Sequence, residues 1–122
     1  MIAMRSLVSV VDDDESVRES LPDLLLEFGF AAQAFSSAEE FLASSSIDNT
    51  ECLILDMAMP GMSGLELQRQ LALRGSDIPI VFITANTDET IRAIALDRGA
   101  IDYLFKPFSE VALLAALNAA FE

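Results

Sequence analysis

The chain has 122 residues, with seven Lys plus Arg against twenty Asp plus Glu, no histidine and a net charge of -13 at pH 7. This length fits one domain, residues 1–122, and the negative charge argues against binding of a nucleic-acid backbone by this domain itself. Without histidine, the commonest transition-metal ligand and general base, the chain favours hard cations bound by carboxylates.

The amino end and the single cysteine point to a cytoplasmic protein. Arg5 and a short apolar run that ends in four acidic residues form neither a signal peptide nor a membrane span. Cys52 has no second cysteine to pair with and begins an apolar stretch. We therefore expect a reduced, buried thiol and no membrane partner.

Five apolar stretches of strand length alternate with segments of helical spacing. Strands are predicted at 7–11, 31–35, 52–55, 78–83 and 101–105. Helices are predicted at 15–28, 37–44, 64–73, 88–98 and 109–121, with Ser37, Thr87 and Ser109 as caps. Pro22 lies inside the first helix and should kink it.

This alternation predicts a doubly wound α/β fold, with a parallel sheet covered by helices on both faces. No repeat, linker or low-complexity segment suggests a second domain. In such folds, ligands bind outside the carboxyl ends of the strands, where the strand order reverses. The residues that follow the strands are therefore the candidates for function.

Four strand ends carry reactive side chains. Asp12 and Asp13 follow the first strand, Asp56 the third, Thr84 the fourth, and the only lysine, Lys106, the fifth. Taken singly, the acidic run is best read as a solvated helix cap, Asp56 as a turn residue and Thr84 as a hydroxyl at a helix entry. Their convergence on one edge of the sheet favours a site instead.

Such a set of side chains suits phosphoryl transfer, in which positioning and charge neutralisation do most of the catalytic work. Two carboxylates would hold Mg²⁺, a third would attack phosphorus, and the amine and hydroxyl would bind phosphoryl oxygens. Asp56 is the best nucleophile candidate, because it follows the central strand and opens a loop rich in Pro and Gly.

The motifs VVDDDESVRESL, LDMAMPGMSG, PIVFITA and GAIDYLFKPF resemble, in order and spacing, those of two-component response-regulator receiver domains. The stretch GFAAQAFSSAEEFL is similar to the FixJ-like branch. The resemblance spans residues 7 to about 121. It implies a flavodoxin-like fold with five parallel strands in the order 2-1-3-4-5. It also implies a signalling switch that takes a phosphoryl group from a sensor histidine kinase and catalyses its own phosphorylation and dephosphorylation, and so is not a conventional enzyme.

Carried over by position, the resemblance implies that Asp56 is phosphorylated and that Lys106 contacts the phosphoryl group. Asp13 would ligate Mg²⁺ directly, Asp12 directly or through water, and the backbone carbonyl of Ala58 would be a further ligand. Asp56 would complete the metal site. A third acid, Asp14, would begin the following helix.

The resemblance also implies a switch. Thr84 would move toward the phosphate and Tyr103 would turn inward, which would couple the site to the fourth helix, fifth strand and fifth helix. A phosphorylation-dependent homodimer would use that face. Pro107 would follow a cis bond, and Ala58 and Asn86 occupy positions that tune the phosphoryl lifetime, which stays open.

Several alternatives remain open from the sequence. A Mg²⁺ phosphohydrolase would need an acid two positions after the nucleophile, where Ala58 stands, so the switch is favoured. A binding module that is never phosphorylated ranks low. The switch could control transcription through an output domain outside this chain, or act as a stand-alone receiver, a phosphate sink or protein-protein switch. The apolar last helix is either a core helix or a surface for a partner.

Overall fold

Strands and helices alternate five times along residues 5–85 and 88–122, the part of the chain that the computed structural model describes. The strands are β1 Leu7–Val11, β2 Ala31–Phe35, β3 Cys52–Asp56, β4 Ile80–Thr84 and β5 Asp102–Phe105. The helices are α1 Glu15–Glu27, α2 Ala38–Ala43, α3 Gly64–Leu73, α4 Glu89–Asp97 and α5 Glu110–Ala120. A 3₁₀ turn, Ser45–Asp48, is an addition to the predicted elements.

The strands form one parallel sheet in the order β2-β1-β3-β4-β5, which confirms the predicted topology. The chain passes from β1 outward to β2 and then returns to the other side of β1 as β3. The strand order therefore reverses between β1 and β3, and a crevice forms outside the carboxyl ends of strands at such a point. Val11 lies beside Leu55 in the register, so Asp12 and Asp56 stand on either side of this crevice.

Each face of the sheet carries its own apolar core, because successive side chains of a strand point to opposite faces. In β3, Leu53 and Leu55 belong to one core, and Cys52 and Ile54 to the other. Helices α2, α3 and α4 cover the first core, and α1 and α5 cover the second. The helices contribute to the first core the buried side chains Phe41, Leu67, Leu71 and Ala95. They contribute to the second core the buried side chains Leu21, Leu25, Leu113 and Leu117. The Cys52 thiol is fully buried, as predicted. Burial raises its pKa to about 12, so the thiol is inert.

The helix starts follow the capping chemistry read from the sequence. The Ser37 Oγ accepts the Glu40 N–H at 3.0 Å, and Ser109 caps α5 in the same way. Helix α4 begins after Asp88, whose carboxylate accepts a backbone N–H of the first turn. The predicted cap at Thr87 lies outside the described residues, as does Asn86.

The predicted start of β4 moves for an identifiable reason. Strand β4 begins at Ile80 instead of residue 78, because Pro79 has no N–H to offer the sheet. The Pro79 carbonyl still accepts the Leu53 N–H at 2.9 Å. Helix α1 continues as one element through Pro22, so the kink expected there stays a prediction.

Helix α5 is covered on one side only. Its residues Leu113 and Leu117 are fully buried, whereas Val111 is 79% exposed and Leu114 is 36% exposed. The buried side fits the core-helix reading, and a partner surface on the exposed side stays a prediction. None of the helices in the described ranges has the length and apolar character of a membrane span.

Candidate functional site

Three acids meet at the crevice between β1 and β3. Asp12 is fully buried, Asp56 is 5% exposed and Asp13 is exposed. One carboxylate oxygen from each of the three lies within 4.8 Å of the others. The acids that the sequence placed at two strand ends are therefore brought into one cluster.

Asp12 is held by bonds to every polar group that it has. Its N–H donates to the Phe35 carbonyl at 3.1 Å, and its carboxylate accepts the Asp14 N–H at 2.9 Å and the Lys106 ammonium at 2.8 Å. Its carbonyl accepts from the Arg18 guanidinium at 3.0 Å. Asp13, in contrast, is open to solvent, so its carboxylate is the more accessible ligand for a metal ion.

Lys106 joins the two strand ends with its amine. The Nζ atom lies 2.8 Å from Asp12 Oδ2 and 3.7 Å from Asp56 Oδ1, and the side chain is 22% exposed. Burial by itself lowers the pKa of Lys106, but the hydrogen bond to Asp12 and the charges of Asp12 and Asp56 outweigh it, so the pKa is raised. The amine is firmly protonated and supplies the positive charge predicted for this edge.

The pKa of Asp56 is raised to about 7. Burial is the main cause and the charge of Asp12 adds to it, while the charge of Lys106 acts in the opposite direction. Hydrogen bonding with Asp13 and Asp12 raises this pKa further. One ammonium therefore does not compensate the charges of this carboxylate cluster.

The donor set fits a hard divalent cation. Carboxylate oxygens are the ligands that Mg²⁺ takes from proteins, usually one or two together with several waters. The exposed Asp13 is open to such waters, and a bound cation would favour the charged form of Asp56, whose pKa is raised mainly by burial and further by the charge of Asp12. Asp12, Asp13 and Asp56 are thus able to hold a metal ion, as the sequence predicts.

Ala58 lies two residues beyond Asp56, exposed, on the loop to α3. The loop leaves β3 with a bond from the Met57 N–H to the Ile83 carbonyl at 3.1 Å. It closes where the Gly64 N–H donates to the Met57 carbonyl at 2.9 Å. Ala58 is therefore an exposed residue of the loop that leaves the carboxyl end of β3, and its role as a backbone ligand stays a prediction.

Thr84 and Tyr103 lie on the neighbouring strands. Thr84 ends β4 and is fully buried. The Tyr103 ring is 3% exposed, with its centroid 6.0 Å from that of Phe82 and 5.6 Å from that of Phe105. Burial raises the pKa of Tyr103, while the Thr84 hydroxyl lowers it. Tyr103 is thus buried in this structure, and its inward turn as part of a switch stays a prediction.

Sequence reasoning missed two residues that shape the site. Arg18 reaches back from α1 to the Asp12 carbonyl, and nothing in its position along the chain signals that contact. Gly64 begins α3 so close to β3 that an added Cβ would lie 2.6 Å from the Asp56 carbonyl oxygen. A glycine at a helix start is the only signal of this close approach.

A family model described as the response regulator receiver domain matches residues 8–118 of the chain. Nodulation protein W of Bradyrhizobium diazoefficiens is 45% identical over 118 residues, which are 97% of this chain and 52% of that protein. Transcriptional regulatory protein FixJ of Azorhizobium caulinodans is 40% identical over 112 residues, 92% of this chain and 53% of that protein. The chain spans about half the length of these curated relatives.

Solved structures show the same architecture. The response regulator StyR is 49% identical and superposes with a TM-score of 0.88, over 95% of this chain and 59% of that one. The structure named FixJ-N is 38% identical with a TM-score of 0.84, over 98% of this chain and 94% of that one. Sequence and fold therefore point to the same group of proteins.

Proposed function

Because this chain belongs to the response-regulator receiver-domain family, with FixJ among its relatives as the motifs predicted, we propose that it switches through phosphorylation of Asp56. The observation that carries the proposal is the meeting of Asp12, Asp13, Asp56 and Lys106 at one crevice. These side chains come from three strand ends, and the three acids offer carboxylate oxygens within 4.8 Å of one another. The receiver is taken to be one domain, residues 1–122.

Asp56 is the nucleophile of the proposed reaction. One of its carboxylate oxygens forms a bond to phosphorus while the bond from phosphorus to the imidazole nitrogen of a donor phosphohistidine breaks. The imidazole leaves with the electron pair and takes up a proton from solvent. The Lys106 ammonium, 3.7 Å from Asp56 Oδ1, is placed to contact a phosphoryl oxygen, and Thr84 contributes its hydroxyl on the same edge.

Asp13, Asp12, Asp56 and the carbonyl of Ala58 are the groups that would hold Mg²⁺. The bound ion would neutralise charge on the phosphoryl oxygens as the transfer proceeds. Asp13 serves as the direct ligand because it is exposed, whereas both carboxylate oxygens of Asp12 already accept hydrogen bonds. In this proposal the chain catalyses its own phosphorylation and dephosphorylation.

The proposed phosphoryl donor is a sensor histidine kinase, and the location is cytoplasmic. Thr84 and Tyr103 relay the change of state to the face formed by α4, β5 and α5.

The exposed apolar side chains near that face, Ile94, Ile101, Val111 and Leu114, suit a phosphorylation-dependent homodimer. Relatives with names such as transcriptional regulatory protein FixJ suggest control of transcription by a domain outside this chain.

The test uses intact-protein mass spectrometry after incubation with acetyl phosphate and Mg²⁺. We expect the mass of one phosphoryl group to be added to the parent, and no addition to the Asp56→Asn variant or in the presence of a chelator. A parent protein that gains no mass contradicts the proposal. Repeated turnover of an ordinary phosphomonoester would instead show the phosphohydrolase.

A further inference from the structure

The loop after Asp56 is held from outside by one side chain of α2. The Met62 N–H donates to Glu39 Oε2 at 3.4 Å. The same oxygen lies 2.8 Å from the place that a Cβ of Gly61 would occupy. Gly61 also has φ +74, in the left-handed region that favours glycine. The backbone conformation and the missing side chain at Gly61 together allow the carboxylate to reach the loop.

Other contacts of this loop hold its two ends and two of its methionines, and Glu39 adds a hydrogen bond at Met62. The loop ends are bonded to the sheet at Met57 and to the start of α3 at Gly64. Met59 and Met62 pack, partly buried, against the core under α2, α3 and α4. Ala58 lies between these attachments and is exposed. Its place is therefore set by how firmly the rest of the loop is held.

We propose that Glu39 is a positioning residue for the phosphorylation site: it orders the loop from 57 to 63 and so sets where the Ala58 carbonyl stands relative to Asp56. This inference rests on the proposed function, because the Ala58 carbonyl matters only when Mg²⁺ binds beside it. If the loop is already ordered before Mg²⁺ binds, the free energy of binding is not reduced by the cost of ordering the loop. Glu39 itself contacts neither metal nor phosphate.

Glu40 provides a matched control. It is the next residue on α2 and carries the same charge, but its carboxylate accepts from the N–H and hydroxyl of Ser36, both at 3.2 Å. Removing either acid changes the net charge by the same amount. Only Glu39→Ala removes the hydrogen bond to the Met62 N–H, and Glu39→Gln keeps an acceptor oxygen on a neutral side chain.

The first measurement is amide hydrogen exchange at Met62 in the metal-free protein, which is independent of phosphorylation. We expect Glu39→Ala to raise the exchange rate about fivefold, the factor that one ordinary hydrogen bond represents. Glu39→Gln and Glu40→Ala should stay close to the parent. An unchanged Met62 rate in Glu39→Ala overturns the inference.

The second measurement is the Mg²⁺ dissociation constant, obtained by NMR titration of the same proteins. Glu39→Ala should raise it by about the same fivefold factor, and Glu40→Ala should raise it by less than about twofold. Equal effects of the two variants would show a charge effect alone and overturn the inference. A parent that fails to bind Mg²⁺ contradicts the proposed function instead, and the exchange measurement still tests the contact.

A third variant tests the contact from the other side. Gly61→Ala places a methyl group 2.8 Å from Glu39 Oε2, which displaces the carboxylate, so it should raise Met62 exchange in the parent. In the Glu39→Ala background the methyl group meets no carboxylate, and the additional effect should be smaller. Equal effects in both backgrounds would show that Gly61 matters for its conformation alone.

Discussion

The carboxyl ends of β1 and β3 are neighbours, and each carries a buried aspartate, but the two carboxylates have different surroundings. At the end of β1, Asp12 is fully buried but accepts from an ammonium and a backbone N–H. At the end of β3, Asp56 is nearly as buried, lies farther from the same ammonium, and has a pKa raised to about 7. The contrast is between a buried acid whose two carboxylate oxygens both accept hydrogen bonds and a buried acid whose charged form is disfavoured, mainly by burial.

The largest effect should come from Asp56→Asn. A raised pKa means that folded Asp56 binds its proton more tightly than the unfolded chain does, so the parent loses stability as pH rises from about 4 to about 7. In chelator, the stability advantage of the variant should grow over that range by about 2–4 kcal/mol. Urea unfolding at pH 5 and pH 8 checks this, and a pH-independent difference contradicts it.

Lys106→Met removes the cation that Asp12 and Asp56 share, so the surroundings of the two acids should become more alike. Asp12 would keep a buried charge without its ammonium, and we expect a loss of about 1–3 kcal/mol of unfolding free energy at pH 8. The loss should shrink at pH 5, where Asp56 is protonated, and phosphorylation by acetyl phosphate should slow strongly. The control is Arg69→Met, since the exposed Arg69–Glu66 pair should contribute less than about 0.5 kcal/mol.

Gly64→Ala tests how tightly the β3 end is packed. The added Cβ would lie 2.6 Å from the Asp56 carbonyl oxygen and 2.9 Å from the Met57 Cα, and overpacking of this kind costs about 1–3 kcal/mol. The phosphorylation rate should fall too, because Asp56 must shift. Gly29→Ala has open space around its Cβ and should cost about 1–2 kcal/mol through its positive φ without changing that rate. Equal rate effects would contradict this account.

Arg18→Gln should have the smallest effect, on the β1 side. It weakens the bond to the Asp12 carbonyl, and the expected loss is about 0.5–1.5 kcal/mol of unfolding free energy. Since Asp12 keeps its bonds to Lys106 and Asp14, the pKa of Asp56 should change little. NMR titration of the Asp56 carboxyl carbon checks this, and a large shift would mean that Arg18 acts electrostatically on the site.

The sequence predicts the strand ends well because they follow from local patterns and one rule of parallel sheets, whereas the strand order is implied by the resemblance to receiver domains. Asp12, Asp56 and Lys106 are found in this way, and the caps Ser37 and Ser109 follow from local chemistry. Contacts between elements are different. That Lys106 lies closer to Asp12 than to Asp56 depends on packing distances that no spacing along the chain encodes.

The same limit applies to Arg18, Glu39 and Gly64. Each acts on a segment that is near in space and is placed there by other elements, so its partner cannot be read from its own neighbours in sequence. The start of β4 is an intermediate case. The missing N–H of Pro79 was visible in the sequence, but its effect depends on which edge of the strand faces β3.

Strand β3 is buried along all five residues and pairs on both sides, with β1 and with β4. Segments of this kind open only when the whole domain unfolds, while surface loops open locally and often. Asp56 is the last residue of that strand, so its position persists through local fluctuations of the loops around it. A chemical group attached there would keep its position while the loops around it open and close, so the place of the modification is fixed even where its surroundings move.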